Sequence, residues 1–158
     1  MAIDSYAKFG GVDGESKADG HVDWIALLSW SYSAQNMGQT TGGGSGKGKA
    51  DMRPFVFSHY YDKASPVMHK KLTAGKHFDK VEIECRKSGD GQKTFYKIEM
   101  KEAFCDSVSI SNSSGGDLLH TVSLSYGYIK HTYAPQDDKG ELGGEIFASY
   151  DLKTTVTA

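Results

Sequence analysis

Short runs of alternating apolar and polar residues dominate this chain and constrain its fold more than any other feature. Glycine, aspartate, asparagine and serine separate the runs, as in Ser88-Gly89-Asp90-Gly91 and Ser113-Ser114-Gly115-Gly116. A two-residue period is typical of strands that bury one face, and the separators favour tight turns. The pattern therefore predicts a mainly β domain built from antiparallel strands.

The strand signal recurs along the whole chain. The predicted strands are Ala2–Phe9, His21–Ser33, Arg53–Tyr60, Lys80–Lys87, Lys93–Phe104, Cys105–Ser111, Leu119–Thr132 and Gly144–Asp151. Strands of this length, separated by turn residues at short intervals, favour a barrel or sandwich over a fold with parallel strands.

One segment breaks the alternation. Ser65 is a favourable N-cap residue, and Pro66 suits the first position of a helix. Gly75 can adopt the left-handed conformation that ends a helix. The residues between these signals place apolar side chains one helical turn apart. We therefore predict a helix over Pro66–Ala74, and a β-barrel or sandwich with one short helix overall.

Three segments divide into an apolar face and a face of small hydroxyl groups. In Trp24–Ser33 the predicted apolar face consists of Trp24, Ala26, Leu28, Trp30 and Tyr32. The hydroxyl residues of the three segments are Ser29, Ser31, Ser33, Ser107, Ser109, Ser111, Thr121, Ser123 and Ser125. An antiparallel sheet often has one solvated face, but such faces usually carry charged side chains. The pattern fits either an ordinary solvated sheet or the smooth wall of a channel.

A glycine-rich segment spans Gln39–Lys49 and places Gly43 and Gly48-Lys49 at the spacing of a phosphate-binding loop. Ala50 stands where that motif needs a hydroxyl for Mg²⁺. The residues that follow lead into a predicted strand, not into the helix N-terminus that binds phosphate. We therefore predict no nucleotide site. The segment is either a flexible connection or a contact arm that orders against another subunit.

No catalytic or metal-binding pattern is present in the sequence. The six histidines lack the spacing of zinc motifs, and no GxSxG elbow occurs. His59 alternates in phase with Phe55 and Phe57, which predicts a satisfied or surface histidine. Cys85 alternates with apolar neighbours and is predicted to be a small buried residue. We therefore expect neither an enzyme nor a cofactor-binding protein.

Charge and hydropathy exclude several classes of partner. The net charge is −2 and the pI is near 6.3, so no basic face for nucleic acid or anionic lipid is expected. No apolar run approaches the about 20 residues that cross a bilayer. Met1–Phe9 lacks the apolar core and cleavage site of a signal peptide, so we expect synthesis and folding in the cytoplasm. A length of 158 residues suits a single domain, 1–158.

A series of short motifs covers nearly the whole chain in a characteristic order. They are Met1-Ala2-Ile3-Asp4-Ser5-Tyr6, Gly14-Glu15-Ser16-Lys17, Ile25-Ala26-Leu27-Leu28-Ser29-Trp30-Ser31, the glycine-rich segment 42–49, Asp62-Lys63-Ala64-Ser65-Pro66, Gly75-Lys76-His77-Phe78, Arg86-Lys87-Ser88-Gly89, Lys101-Glu102, Ser114-Gly115-Gly116 and Tyr133-Ala134-Pro135-Gln136. Each motif alone is weak, but the combination closely resembles the haemolysin-coregulated protein (Hcp) family of bacterial type VI secretion systems.

The resemblance implies a fold and a role. Family members form a two-sheet antiparallel β-barrel with a short flanking helix, and six copies close into a ring. Rings stack head to tail into a tube, which carries a spike protein at its tip and is driven out of the cell by a contractile sheath. Small effector proteins travel in the bore. The resemblance therefore implies a structural protein that is cytoplasmic before firing and then secreted without a signal peptide.

The implied role assigns functions to two sets of residues. Candidates for the bore lining and cargo contact are Ser29, Ser31, Ser33, Thr121, Ser123 and Ser125. Candidates for ring stacking are Thr40, Thr41, Gly42, Gly43, Gly44, Ser45, Gly46, Lys47, Gly48 and Lys49. Because the chain ends at Ala158, soon after the last predicted strand, we expect no fused C-terminal effector domain. A phage or phage-derived tail-tube protein without effector cargo is the alternative.

Overall fold

The alternating runs form antiparallel ladders in the computed structural model, which describes residues 2–36, 38 and 48–158. Its strands are β1 (Ile3–Phe9), β2 (Ile25–Leu27), β3 (Ser29–Ser31), β4 (Ala34–Asn36), β5 (Ala50–Met52), β6 (Phe55–Tyr60), β7 (Phe78–Lys87), β8 (Thr94–Asn112), β9 (Leu118–Ser125), β10 (Tyr128–Tyr133), β11 (Ile146–Asp151) and β12 (Val156–Thr157). The helix α1 (Ser65–Ala74) follows β6. The predicted mainly β fold with antiparallel sheets and a short helix is confirmed.

Two sheets enclose the core and share one strand. The first sheet has the order β12-β11-β10-β8-β7-β1-β2. The second has the order β3-β6-β9-β8. Among the described residues the ladders do not close into a continuous barrel, because β2 pairs with β1 whereas β3 pairs with β6. The predicted two-sheet barrel is thus present as two antiparallel sheets joined through β8.

The two strands predicted between Lys93 and Ser111 form a single strand, β8. Its first half pairs with β7 as far as Ala103, and its second half pairs with β9 from Phe104 onward. Glu102 has φ 50° at this transition, and a register shift against β9 follows it. Irregularities of this kind bend a strand, so β8 passes from one sheet to the other without a turn.

The strand predicted over His21–Ser33 is shorter than expected and interrupted. It begins at Ile25 and breaks at Leu28, whose N–H donates to the carbonyl of Ser58 at 2.8 Å. The break separates β2, in the first sheet, from β3, in the second. One continuous run of sequence therefore serves both sheets.

The break also reverses which residues face the core, so the predicted apolar face is wrong in its first half. In β2 the buried residue is Ile25, while Ala26 and Leu28 are exposed. In β3 and just after it, Trp30 and Tyr32 pack against the core. The alternation changes phase at residue 28, because the chain changes its pairing partner there.

The strand predicted over Leu119–Thr132 likewise divides, into β9 and β10. Tyr126 and Gly127 separate the two. The Tyr126 hydroxyl donates to the carbonyl of Arg53 at 2.8 Å, and the Gly127 N–H donates to the carbonyl of Lys101 at 3.0 Å. These bonds fix the crossing of the chain from the second sheet to the first.

The helix begins one residue earlier than predicted, and its cap differs. Ala64, not Ser65, is the N-cap residue, and no side chain caps the first turn. The Ser65 hydroxyl accepts the N–H of Asp62 at 3.1 Å instead. Gly75 has φ 66° and donates its N–H to the carbonyl of Leu72, which confirms the predicted left-handed end of the helix.

The core lies between the sheets and beneath the helix. Its largest fully buried apolar side chains are Phe9, Ile25, Phe55, Phe57, Met68, Phe78, Ile83, Ile98, Met100, Leu124 and Ile129. Burial of one such side chain contributes about 1.5–3 kcal/mol relative to exposure. The predicted burial of Cys85 is confirmed.

The segment between β1 and β2 lies against the outer face of the first sheet. His21 is buried there, stacked on Tyr6 with ring centroids 4.2 Å apart. Its Nε2 lies 3.3 Å from a carboxylate oxygen of Glu84, and Arg86 donates to the carbonyl of Asp19 at 2.7 Å. This cluster, which holds the segment in place, is not predicted from the sequence.

Three short strands, β4, β5 and β12, were not predicted. Ala34-Gln35-Asn36 has no apolar alternation, and Ala50-Asp51-Met52 and Val156-Thr157 are too short for a periodic signal. β4 and β5 pair with each other at the base of the glycine-rich segment. No helix within the described residues is both long and apolar enough to cross a membrane.

Candidate functional site

The hydroxyl residues of four strands come together on the outward face of the second sheet. In one cross-strand row Ser29 of β3 is followed by Ser58, Thr121 and Ser109. Directly opposed residues of an antiparallel ladder have their side chains on the same face. The next row consists of Ser31, Val56, Ser123 and Ser107. We call these two rows the hydroxyl face.

The hydroxyl face carries no charge in either of its rows. The hydroxyl oxygens of Ser29 and Ser58 lie 2.6 Å apart and bond to each other. At one border Ser125 donates to Asp106 at 2.9 Å. At the other border Tyr60 pairs with Leu119, which adds an apolar strip. The centre of the face therefore carries small, polar, uncharged side chains.

The opposite side of this sheet is apolar, which fixes the orientation of the hydroxyl face. Phe55, Phe57, Val122 and Leu124 alternate with the hydroxyl residues and are at most 1% exposed. This confirms the predicted alternation of Val122 and Leu124 with Thr121 and Ser123. Packing of the apolar side against the core therefore fixes the strands, and the hydroxyl face points outward, where it can contact another molecule.

The first sheet presents a different outer face. Its outward residues alternate in charge, including Lys80, Glu82, Glu84, Lys97, Glu99 and Lys130. Lys80 contacts Glu82 at 2.9 Å and Glu99 at 3.7 Å. Exposed pairs of this kind contribute little to stability but keep a surface hydrated. The molecule thus has one charged and one uncharged sheet face.

Four of the six predicted bore residues lie in the hydroxyl face: Ser29, Ser31, Thr121 and Ser123. Ser125 lies at its border. Ser33 follows the end of β3 and is exposed, and its carbonyl accepts the N–H of Arg53 at 3.1 Å. Ser33 is therefore outside the two rows.

Ser58 belongs to the hydroxyl face but is not among the residues predicted for the bore. It occupies the centre of the first row, between Ser29 and Thr121. The signal was available in β6, where Val56 and Ser58 alternate with Phe55, Phe57 and His59. Because β6 contains a single serine, its sequence alone does not distinguish this face from an ordinary solvated one.

Most of the predicted stacking segment, Thr40–Lys47, lies outside the described residues. Gly48 and Lys49 are described and lead into β5. Asn36 donates from Nδ2 to the carbonyl of Gly48 at 2.7 Å, across the base of the segment. The two sides of the base are therefore tied to each other, by this bond and by the pairing of β4 with β5.

Both cysteines, Cys85 and Cys105, are buried. Burial raises the pKa of the Cys105 thiol to about 12 and also raises the pKa of Cys85. High thiol pKa values disfavour the reactive thiolate. Among residues 2–36, 38 and 48–158, no group of three or more histidine, cysteine or acidic side chains is placed to hold a metal ion.

His59 is fully buried and contacts a second buried histidine, His120. The sequence predicted a satisfied or surface histidine at position 59, without identifying its partner. The two residues are directly opposed in the β6–β9 ladder, on the core side of the sheet. Only the register of the two strands brings them together.

Comparison with known proteins places this fold. A family model described as "Type VI secretion system effector, Hcp" matches residues 6–133. The protein Hcp1 of Pseudomonas aeruginosa is 33% identical over 162 aligned residues, which cover 100% of both chains.

Solved structures agree with the sequence comparison. A structure described as a type six secretion system protein has a TM-score of 0.93 and 28% identity, covering 99% of this chain and 100% of that one. Hcp1 from Salmonella typhimurium has a TM-score of 0.81 and 32% identity, covering 100% of both chains.

Proposed function

This chain belongs to the Hcp family of type VI secretion proteins, and we propose that it is a structural subunit of the secretion tube. In this proposal six copies close into a ring, and rings stack head to tail. Small effector proteins are carried and protected in the bore. A spike protein at the tube tip and a contractile sheath are the other partners, and the chain is secreted without acting as an enzyme.

The hydroxyl face is the observation that carries the proposal. A bore that transports folded proteins must wet easily and must not bind its cargo through strong ionic contacts. The two rows around Ser29, Ser31 and Ser123 meet this requirement, because they present hydroxyl groups without charge. The charged outer face of the first sheet does not meet it. We therefore assign the hydroxyl face to the bore.

Exposed apolar residues support assembly into a ring. Ile146, Phe147 and Val156 lie at the β11–β12 edge of the first sheet, and each is more than half exposed. A second group, Ile110, Leu118 and Leu119, lies near the turn between β8 and β9. Exposed apolar clusters mark contact surfaces, and closed rings need two different patches on each subunit.

A substitution on the hydroxyl face tests the carrier role. We propose Ser31→Tyr, because tyrosine is favoured in strands but projects far beyond serine. The ring is expected to form normally, while the amount of small protein that co-purifies with it falls about tenfold. A steric penalty of about 1.4 kcal/mol is enough for that change.

The matched control is Thr132→Tyr, which places the same side chain on the outer face of the first sheet. Co-purified proteins are identified by mass spectrometry at equal ring concentration. Retention that falls in Ser31→Tyr but not in Thr132→Tyr supports the assignment. Equal retention in both variants, with intact rings, would mean that the hydroxyl face does not contact cargo.

A further inference from the structure

A pair of buried histidines joins the two central strands of the hydroxyl-bearing sheet. His59 of β6 and His120 of β9 are directly opposed in the ladder, on the core side. Nε2 of His59 lies 2.9 Å from Nδ1 of His120, and each residue is at most 1% exposed. This hydrogen bond links the strands that carry Ser58 and Thr121 on the other face.

The pair can hold only one proton between its facing nitrogens. One ring donates its N–H and the other accepts through its lone pair. The second nitrogen of His59, Nδ1, is buried without a hydrogen-bond partner and lies 3.8 Å from a carboxylate oxygen of Asp62. A ring that gains a second proton becomes a donor at both nitrogens. If both rings are protonated, N–H faces N–H across 2.9 Å.

The groups around the pair do not compensate two positive charges. Asp62 is the nearest acid, Glu15 lies near Asp62, and Tyr61 packs edge-on against His120. His69 of α1 adds a further basic group on the helix side. Burial raises the pKa of Asp62, which weakens it as a counter-ion.

Burial lowers the pKa of His59 to about 4. Burial together with the nearby His59 lowers the pKa of His120 to about 4. An unfolded histidine has a pKa near 6.5. As pH falls below 6.5, the unfolded chain therefore binds protons that the folded pair does not accept. The stabilisation is fully present above pH 6.5 and is lost progressively as pH falls toward about 4.

We propose that the His59–His120 pair is an acid-sensitive latch that holds β6 against β9 when neutral and releases them when both rings are protonated. Release breaks the cross-strand bond and places two like charges in the core. It removes this side-chain contact on the core side of the two strands that carry the centre of the hydroxyl face. This property belongs to the single chain and does not depend on the proposed tube function.

A double variant that cannot titrate tests the latch. His59→Gln with His120→Asn keeps amide groups near the positions of the facing nitrogens. The exposed His77 supplies the matched control, His77→Gln. Urea unfolding is measured at pH 7.5 and pH 5.0 for each protein, at one protein concentration. Between these pH values we expect the folding equilibrium constant of the wild type and of the control to fall by a factor of roughly several hundred more than that of the double variant. Equal losses in all three proteins would overturn the proposal.

A measurement on the unmodified protein covers the case in which the double variant does not fold. Amide hydrogen exchange, corrected for intrinsic rate, is compared at pH 7 and pH 5. We expect amides of the β6–β9 ladder to lose protection before those of the β7–β8 ladder. Nuclear magnetic resonance titration of the imidazoles should give midpoints well below 6.5 for both histidines. A normal midpoint for both rings, or uniform loss of protection, would contradict the latch.

Discussion

At the scale of single residues, Gly14 shows how a tight contact fixes the surface segment between β1 and β2. Its N–H donates to the carbonyl of Asp23 at 2.7 Å. A Cβ atom at this position would lie 2.5 Å from the carbonyl oxygen of Trp24 and 2.8 Å from Cγ1 of Ile25. Only glycine fits without movement of the backbone. The sequence marked Gly14 as part of a motif, but the steric reason is visible only in the structure.

The substitution Gly14→Ala is therefore expected to destabilise the protein by about 1–3 kcal/mol, the usual cost of inserting a group into a filled space. Gly10→Ala is the matched control, because the nearest atom to its Cβ would be the carbonyl oxygen of Lys80 at 3.6 Å. Urea unfolding monitored by circular dichroism measures both. Similar stability of the two variants would show that the segment relaxes around the added methyl group.

Core aromatic residues act at the same scale. Phe57 is 1% exposed, and its ring centroid lies 5.9 Å from that of Phe9 and 6.3 Å from that of Phe55. Phe57→Ala is expected to reduce the free energy of unfolding by about 3–5 kcal/mol. Val156→Ala, at the exposed edge of the first sheet, provides the comparison. If both substitutions had the same small effect on the monomer, the assigned core would be wrong.

At the scale of elements, the segment bounded by β4 and β5 combines a tied base with a long glycine-rich sequence. Gln35 donates from Nε2 to a carboxylate oxygen of Asp51 at 3.1 Å, and Asn36 bonds to the carbonyl of Gly48. Residues 39–47 lie outside the described residues, so their stacking role stays a prediction from the sequence. The described residues on the two sides of the segment, β4 and β5, pair with each other.

Deletion of Gly42–Gly46 tests that prediction. Rings are expected to form, because the deletion leaves the flanking strands β4 and β5 unchanged. Tubes are expected to be shorter or absent by electron microscopy, and secretion is expected to fall. The double substitution Lys47→Ala with Lys49→Ala keeps the length of the segment and removes its charges. Comparing it with the deletion shows whether stacking depends on the length of the segment or on its charge. Long tubes and normal secretion after the deletion would show that the segment is not needed for ring stacking.

At the scale of the whole molecule, the two sheets differ in the chemistry of their outer faces. The second sheet carries serine and threonine, whereas the first carries alternating lysine and glutamate. This difference does not come from packing of the core, because the core sides of both sheets are mainly apolar apart from the His59–His120 pair of the second sheet. In the ring that we propose, this asymmetry would have a role, because the hydroxyl face would line the bore and the charged face would point away from it.

The native mass of the purified protein tests this arrangement first. We expect a species near six times 17.2 kDa by light scattering coupled to size exclusion, with ring-shaped particles in negative stain. Because the ring would bury the exposed apolar residues around Ile146 and Leu118, we expect it to resist dissociation on dilution. A stable monomer at micromolar concentration would contradict both the proposed ring and the assignment of the hydroxyl face to the bore.

The sequence by itself determined the fold class, most strand positions, the helix and the alternation of hydroxyl with apolar residues. These features depend on local periods and turn residues, which a single chain displays directly. The family followed from the order of short motifs. Four predicted bore residues proved to share one face, because strand alternation specifies which residues point the same way.

Only the tertiary structure decided which strands pair and where the chain changes sheets. Periodicity continues through Glu102 and through Leu28, yet β8 bends at the first position and the pairing partner changes at the second. Ser58 joined the hydroxyl face, and His59 met His120, only because of the register between β6 and its neighbours. Register depends on contacts between residues distant in sequence, so no local pattern could specify these positions.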